Sequence, residues 1–211
     1  MLETLKTAAD ASLSPADAAK LGAAGKGCRI VAFPTESSYA LGSTGLVKAA
    51  TRRLLQIKER STLKPLQVLV HSLDEAKKWV EWTPLAEALA GTLWPGPVAL
   101  LLKPTAQGRL LTFAEYPTVA VRVPAHPGTR AMLAASGVPW VCTSANKSGA
   151  PALNDADAVA AALGAEIDFL LDGGAVDAGE ATIVDATGAT ARILREGIVP
   201  SARIQEASKT A

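Results

Sequence analysis

Val141-Cys142-Thr143-Ser144-Ala145-Asn146-Lys147-Ser148-Gly149 is the stretch on which the interpretation of this chain depends. The apolar run 138–142 predicts a buried strand, and it leads directly into hydroxyls, an amide, an ammonium group and a glycine. Two interpretations are open. Ser, Asn and Gly dominate ordinary turns, so the segment can be a capped turn after a core strand. With nearby backbone N–H groups, the same side chains can also form a concave anion site.

The composition indicates a globular protein whose core is mainly aliphatic. Of its 211 residues, 49% are hydrophobic but only 4% are aromatic, which is ample for a stable core. With 21 basic and 20 acidic residues, the net charge of +1 excludes a broad polyelectrolyte surface, so any nucleic-acid contact must be local. No signal peptide or membrane-spanning run is recognisable, so we expect a cytoplasmic protein without membrane contact.

The order of the predicted elements favours a mixed α/β fold. Strands and helices occur without strict alternation, and no internal repeat is present. Strands are predicted at 28–33, 66–70, 98–102, 118–123, 138–142, 169–171, 182–184 and 192–194, and helices at 15–27, 47–60, 74–82, 84–93, 129–136 and 155–163. We therefore expect a single α/β domain of the α+β type over residues 1–211, with a twisted mixed sheet flanked by helices in three layers. The last residues, 204–211, are predicted to be a flexible tail.

Three cations lie close together where the helix 47–60 is predicted to end. Lys58 and Arg60 are two residues apart and would diverge on a continuing helix, but they can point the same way if the helix unwinds there. Lys64 adds a third cation just before a proline. The alternative is a solvated helix end, where basic side chains favour the helix dipole.

Two arginines on predicted strands present a similar choice. In the run 119–123, Arg122 shares a face with Ala120 and lies opposite three valines. A buried arginine without an anion is unfavourable, so Arg122 is either solvated or paired with a carboxylate or phosphate. The same alternatives hold for Arg195, which has Glu196 beside it.

The residues that usually carry catalysis or bind metals are few. His71 and His126 have no metal-ligand spacing and are expected at the surface, at the ends of elements. Cys142 is interpreted as a small core residue in preference to a reactive thiol. No metal ligand, P-loop or nucleophile elbow is predicted. The remaining cations, hydroxyls and amides suit an anionic substrate and chemistry that depends on positioning and electrostatics.

Six motifs together resemble the YrdC-like threonylcarbamoyl-AMP synthases in order and approximate spacing. The match covers residues 23–198, nearly the whole chain. The motifs are Pro34-Thr35-Glu36-Ser37-Ser38-Tyr39-Ala40-Leu41-Gly42, Lys58-Glu59-Arg60 with Lys64-Pro65-Leu66, Trp94-Pro95-Gly96-Pro97, Val121-Arg122-Val123-Pro124, Ser144-Ala145-Asn146-Lys147-Ser148-Gly149 and Leu194-Arg195-Glu196-Gly197.

The resemblance implies a YrdC-like fold with a basic cavity and a nucleotidyl-transfer reaction. L-threonine, bicarbonate and ATP with Mg²⁺ would give threonylcarbamoyl-AMP and pyrophosphate, and a separate transferase complex would then modify an adenosine of certain tRNAs. Weak direct tRNA binding is also expected. Carried over by motif, the catalytic set is Lys58, Arg60, Ser144 and Asn146, the ATP contacts are Arg60, Lys64, Thr118, Ser144 and Arg195, and the threonine contacts are Ser37, Arg122 and Cys142.

Four positions depart from the family pattern. The family usually has glycine, proline, serine and serine where this chain has Ala40, Ser61, Ala152 and Ala181. Ala152 and Ala181 each lack a hydroxyl. Loss of one neutral hydrogen bond weakens binding by about 0.5–1.5 kcal/mol, so these two changes are expected to reduce affinity without abolishing it. Two other functions therefore stay open: a diverged RNA-binding protein without synthase activity, and an enzyme of this fold that acts on a sugar phosphate.

Overall fold

The computed structural model describes residues 2–59, 66–111, 116–176 and 179–209. Ten strands form one sheet, and seven α-helices lie in the described ranges. The strands are β1 Glu3–Lys6, β2 Val31–Pro34, β3 Tyr39–Thr44, β4 Gln67–Leu69, β5 Val98–Leu102, β6 Val119–Arg122, β7 Trp140–Ser144, β8 Phe169–Asp172, β9 Thr182–Asp185 and β10 Arg192–Arg195. The helices are α1 Pro15–Lys26, α2 Lys48–Ile57, α3 Leu73–Trp79, α4 Pro84–Leu93, α5 Pro127–Ser136, α6 Ala156–Leu163 and α7 Ser201–Ser208, with a 3₁₀ turn at Gly108–Leu111.

The sheet is mixed, as predicted. Its strand order is β1-β8-β2-β3-β7-β4-β6-β5-β9-β10. β7 lies at its centre, antiparallel to both β3 and β4. β6 is parallel to β4 and antiparallel to β5. β4 therefore lies between β7 and β6, and Ser144 and Arg122, the last residues of those two strands, lie toward opposite ends of β4.

Helices cover both faces of the sheet and give the predicted three layers. On one face, α2, α3, α4, α6 and α7 contribute to the larger hydrophobic cluster. On the other, α1 and α5 pack against β2, β3 and β7 in a smaller cluster that includes Trp140 and Phe33. None of the helices in the described ranges combines the length and apolarity needed to cross a bilayer.

Local sequence signals explain several helix boundaries. Ser14 caps α1, and its hydroxyl accepts a hydrogen bond from the backbone N–H of Asp17, with Pro15 in the first turn. Asp155 caps α6 in the same way. α4 begins at Pro84 and ends at Leu93, as predicted.

Three elements were not predicted, and one prediction was wrong. β1, β3 and α7 were missed. The flexible tail predicted for 204–211 overlaps α7, whose Ile204 and Ala207 are 0% and 3% exposed. These side chains reach the apolar surface of α4, and that burial orders the helix. Residues 210 and 211 lie outside the described ranges.

Replacement of Ile204 tests whether α7 belongs to the folded core. We expect Ile204→Ala to lower the free energy of unfolding by about 2–4 kcal/mol, because it leaves a cavity against α4. Urea denaturation followed by circular dichroism measures the change. Gln205→Ala, on the exposed side of the same helix, is the matched control and should change stability by less than about 0.5 kcal/mol. Equal stability of the two variants would contradict the packing of α7.

Candidate active site

A cavity of about 340 Å³ lies on the sheet face opposite the larger hydrophobic cluster. In β6, Val119 and Val121 point into that cluster, whereas Ala120 and Arg122 line the cavity, as the alternation predicted. None of the described residues around the cavity belongs to a helix. They are Thr35, Ser37, Ser38, Ala40, Gln67, Leu101, Thr118, Ala120, Arg122, Cys142, Thr143, Ser144, Ala152, Gly179, Glu180, Ala181, Ile183, Leu194 and Arg195.

Arg122 is the buried cation of the cavity floor, at 2% exposure. Its Nη2 atom lies 2.8 Å from the Glu36 carboxylate and donates a hydrogen bond to Ser37 Oγ at 3.4 Å. Its Nε atom donates to the Gly96 carbonyl at 3.0 Å. Nη1 has no hydrogen-bond partner among the described residues. Arg122 is therefore paired rather than solvated, yet keeps one donor group for a ligand.

The first motif forms a tight turn of hydroxyl groups beside Arg122. Thr35 Oγ1 donates to the Ser38 carbonyl at 2.7 Å and accepts from the backbone N–H groups of Ser37 and Ser38, each at 3.2 Å. Ser37 Oγ lies 2.9 Å from Thr35 Oγ1. These bonds fix the Ser37 hydroxyl on the cavity wall next to the guanidinium. The predicted pairing of Ser37 with Arg122 in one site is thus present in the structure.

The end of β7 forms the opposite wall. Ser144 Oγ donates to Asn146 Oδ1 at 2.7 Å, and Asn146 Nδ2 donates to the Ala150 carbonyl. Gly149 adopts a left-handed φ of 83° that closes this turn. Asn146 is 8% exposed and does not line the cavity. The loop is therefore a capped turn that also presents the Ser144 hydroxyl to the cavity.

Lys58 holds this loop from behind. Its Nζ donates to the Ser144 carbonyl at 2.8 Å, to the Asn146 carbonyl at 2.6 Å and to Asn146 Oδ1. The solvated helix end is wrong for Lys58, which is only 3% exposed. α2 ends at Ile57, and Glu59 with φ of 46° turns the chain out of the helix, which directs Lys58 inward. Arg60, Ser61 and Lys64 lie outside the described residues.

Arg195 and Thr118 lie at the rim of the cavity. Arg195 Nη2 and Nε donate to the Ala181 carbonyl at 2.8 and 3.2 Å, and Nη1 lies 3.2 Å from the Glu180 carboxylate. The neighbouring Glu196 bonds to Ser201 instead. With 41% of its side chain exposed, Arg195 can contact a ligand at the mouth. Thr118 lines the cavity immediately before β6.

Two further titratable side chains near the cavity, Cys142 and His126, are buried. Burial raises the pKa of the Cys142 thiol to about 12, although nearby Arg122 lowers it. Cys142 packs in the smaller hydrophobic cluster and also lines the cavity, so it is a core residue beside the predicted threonine contacts. His126 was expected at the surface but is buried, because its Nδ1 caps α5 by accepting from the Thr129 N–H. Burial lowers its pKa, while the charge of Glu36 raises it.

His71 is half-exposed and pairs with Glu75 four residues later. Within the ranges the structure describes, no three His, Cys, Asp or Glu side chains converge on a point that would hold a metal ion. Among the carboxylates of the described residues, only Glu180 lines the cavity, and it forms an ion pair with Arg195.

Three residues of the site were missed by the sequence analysis. Glu36, the acid of the hydroxyl-rich first motif, accepts from the Ala125 N–H at 2.9 Å and pairs with Arg122. Gly96, which belongs to the Trp94-Pro95-Gly96-Pro97 motif but was given no role in the site, supplies the carbonyl that orients the guanidinium. A lone acid in a motif of hydroxyls was the available signal for Glu36. Gln67, on the floor, had no such signal.

Comparison with known proteins identifies the family to which this chain is similar. The Sua5/YciO/YrdC family model, described as telomere recombination, matches residues 25–197. A threonylcarbamoyl-AMP synthase of Pyrococcus abyssi is 35% identical over 181 residues, which are 84% of this chain and 53% of that protein. A threonylcarbamoyl-AMP synthase of Xanthomonas oryzae is 38% identical over 147 residues, 68% of this chain and 79% of that protein. The chain thus spans about half the length of the Pyrococcus relative.

Solved structures agree on the fold. The crystal structure of P. abyssi Sua5 complexed with L-threonine matches with a TM-score of 0.89 at 30% identity, covering 98% of this chain and 60% of that one. Escherichia coli YciO matches with a TM-score of 0.86 at 23% identity, covering 97% and 98% of the two chains. The YrdC-like fold expected from the motifs is confirmed.

Lys58→Met tests whether this ammonium supports the β7 loop. We expect the free energy of unfolding to fall by about 1–3 kcal/mol, because the carbonyls of Ser144 and Asn146 lose a charged donor in a buried place. Urea denaturation gives the value. Lys147→Met in the same loop removes an ion pair with Glu166 whose lysine is 41% exposed, and it should cost less than about 1 kcal/mol. A smaller loss for Lys58→Met than for this control would contradict the supporting role.

Proposed function

Because the chain belongs to the Sua5/YciO/YrdC family, we propose that it converts L-threonine, bicarbonate and ATP into threonylcarbamoyl-AMP and pyrophosphate. The proposal rests on the Nη1 group of Arg122. This group lies on the floor of the cavity and has no hydrogen-bond partner among the described residues. A guanidinium held by Glu36 and Gly96 is oriented before any ligand arrives. It would hold the carboxylate of threonine, with Ser37 beside it.

The phosphate end of the substrate would lie at the other wall. The Ser144 hydroxyl on the β7 loop, Thr118 and Arg195 are candidate contacts for ATP. Arg60 and Lys64 are proposed to join them, and Lys58 and Asn146 to act behind Ser144 by fixing its loop. The cavity would then hold two anions in line, which suits transfer to a phosphorus atom by positioning and charge neutralisation.

The reaction requires no nucleophile from the protein. The threonine amine reacts with bicarbonate to give a carbamate and water, and a carbamate oxygen then attacks the α-phosphorus of ATP. The bond from that phosphorus to the β-bridging oxygen breaks, and pyrophosphate leaves with the electron pair. A protonated thiol at Cys142 is compatible with this chemistry, since the thiol is not used.

Magnesium is proposed to enter as part of the ATP substrate. Mg²⁺ keeps several waters and is commonly held by substrate phosphates with one or two carboxylates. The donors around the cavity are mainly hydroxyls, with Glu180 as the lining carboxylate, and this set suits a metal carried by phosphates. We further propose that the product passes in the cytoplasm to a separate tRNA-modifying transferase, and that direct tRNA binding is weak.

Three departures from the family pattern, Ala40, Ala152 and Ala181, line this cavity. Ala152 and Ala181 offer a methyl group where the family usually has a serine hydroxyl, and Ala40 adds a methyl group where the family usually has glycine. The backbone of Ala181 is already engaged, because its carbonyl accepts two hydrogen bonds from Arg195. The proposal therefore expects activity with reduced affinity rather than inactivity.

Pyrophosphate release tests the function directly. Purified protein with ATP, Mg²⁺ and bicarbonate should release pyrophosphate only when L-threonine is added, because the carbamate of threonine is the attacking group. A coupled pyrophosphate assay measures the rate, and mass spectrometry identifies threonylcarbamoyl-AMP. Ser144→Ala should lower the rate about tenfold, whereas Ser208→Ala on α7 should not change it.

Two outcomes would contradict the proposal. Pyrophosphate release that does not depend on threonine would indicate a different acceptor. Absence of release, together with salt-sensitive tRNA binding and no nucleotide binding, would favour the RNA-binding alternative.

A further inference from the structure

Gln67 lies on the floor of the cavity. It lies on β4, where it pairs with Cys142 of β7 on one side and with Ala120 of β6 on the other. Directly paired residues share a face of the sheet, and all three line the cavity. The two residues paired with Gln67 have small, weakly polar side chains, so the Gln67 amide is the strongly polar group among the three.

The strand register places Gln67 between the two ends of the proposed substrate. Arg122 lies two residues beyond Ala120 on β6, opposite Leu69. Ser144 lies two residues beyond Cys142 on β7, in the opposite direction along β4. Across the antiparallel pair of β4 and β7, diagonal neighbours such as Gln67 and Ser144 are about 7–8 Å apart. Arg122 lies on the other side of Gln67, across the parallel pair of β4 and β6. Gln67 therefore separates the guanidinium that would hold a carboxylate from the hydroxyl that would face a phosphate.

The amide of Gln67 has a free donor. Its Oε1 lies 4.0 Å from Cys142 Sγ, so the thiol is on the acceptor side of the amide. Among the described residues, no hydrogen-bond acceptor lies within reach of Nε2. An amide N–H₂ group lining a cavity without a protein acceptor is suited to an oxygen of a bound ligand.

We propose that Gln67 is a catalytic residue that donates an N–H hydrogen bond to the carbamate oxygen of the reacting threonine carbamate, and to bicarbonate before the carbamate forms. The proposal rests on the function proposed above, because only a substrate with a carboxylate at Arg122 and a phosphate at Ser144 places its carbamoyl carbon at Gln67. No proton is transferred by the amide. Its role is to hold a carbamate oxygen while the bond to the α-phosphorus forms.

Gln67→Met and Gln67→Glu test the role in the pyrophosphate assay. The methionine keeps the length of the side chain but has no donor, and we expect kcat to fall about tenfold and the KM for bicarbonate to rise. The glutamate keeps the shape and places a negative charge beside an anion, so its loss should be larger. The Kd of L-threonine alone, measured by calorimetry without bicarbonate, should stay within twofold of wild type, because Gln67 does not touch the carboxylate end.

Gln205→Met, which alters an exposed glutamine of α7, is the matched control and should retain wild-type kinetics. Thermal unfolding checks each variant, and the nearly isosteric Gln67→Glu carries the test if the methionine variant does not fold. Wild-type kcat and bicarbonate KM in the Gln67 variants would overturn the inference alone. A parallel loss of threonine affinity would also overturn it, by placing Gln67 at the carboxylate end. Failure of the wild-type protein to release pyrophosphate with threonine would instead overturn the proposed function, and this inference with it.

Discussion

The guanidinium of Arg122 is a buried charge, and the arrangement of the cavity follows from the need to stabilise it. Glu36 supplies a carboxylate at 2.8 Å, and Gly96 supplies a carbonyl at 3.0 Å. Removal of one partner of such a buried pair typically costs about 3–5 kcal/mol, because the other charge is left uncompensated. The first motif, the Trp-Pro-Gly-Pro turn and strand β6 are therefore tied to one another through a single side chain. This explains why three motifs far apart in sequence occur together.

The two faces of the sheet differ in what they contact: one packs in the larger hydrophobic cluster, and the other lines the cavity. Val119 and Val121 of β6 contribute to the larger hydrophobic cluster, while Ala120 and Arg122 face the cavity. The same division holds at the end of β7, where Lys58 binds the backbone of the loop from behind and Ser144 is exposed in front. Polar groups that would be unfavourable in the core are thus concentrated around the cavity, on the part of this face that α1 and α5 leave uncovered.

The sequence predicted the parts of this fold that have strong local signals. The start of α1 at residue 15, the bounds of α4 and the alternation in β6 follow from local patterns, and each prediction was confirmed. α7 was missed because its order depends on Ile204 packing against a helix more than a hundred residues earlier. The burial of Lys58 could not be inferred either, since it follows from the left-handed turn at Glu59 and from carbonyls of β7. The role of Glu36 depends on its contacts with Arg122 and Ala125, which are distant in sequence. The place of Gln67 in the cavity depends on the register of β4 with its neighbours, which no local pattern fixes.

We expect Arg122 to select a carboxylate on the cavity floor. Isothermal titration calorimetry of the wild-type protein with L-threonine and with L-threoninol tests it most directly, because threoninol keeps the amino and hydroxyl groups but lacks the carboxylate. Threoninol should bind at least about tenfold more weakly than threonine, as expected for loss of a charge-assisted hydrogen bond. Equal affinity for the two compounds, or the absence of threonine binding, would contradict it.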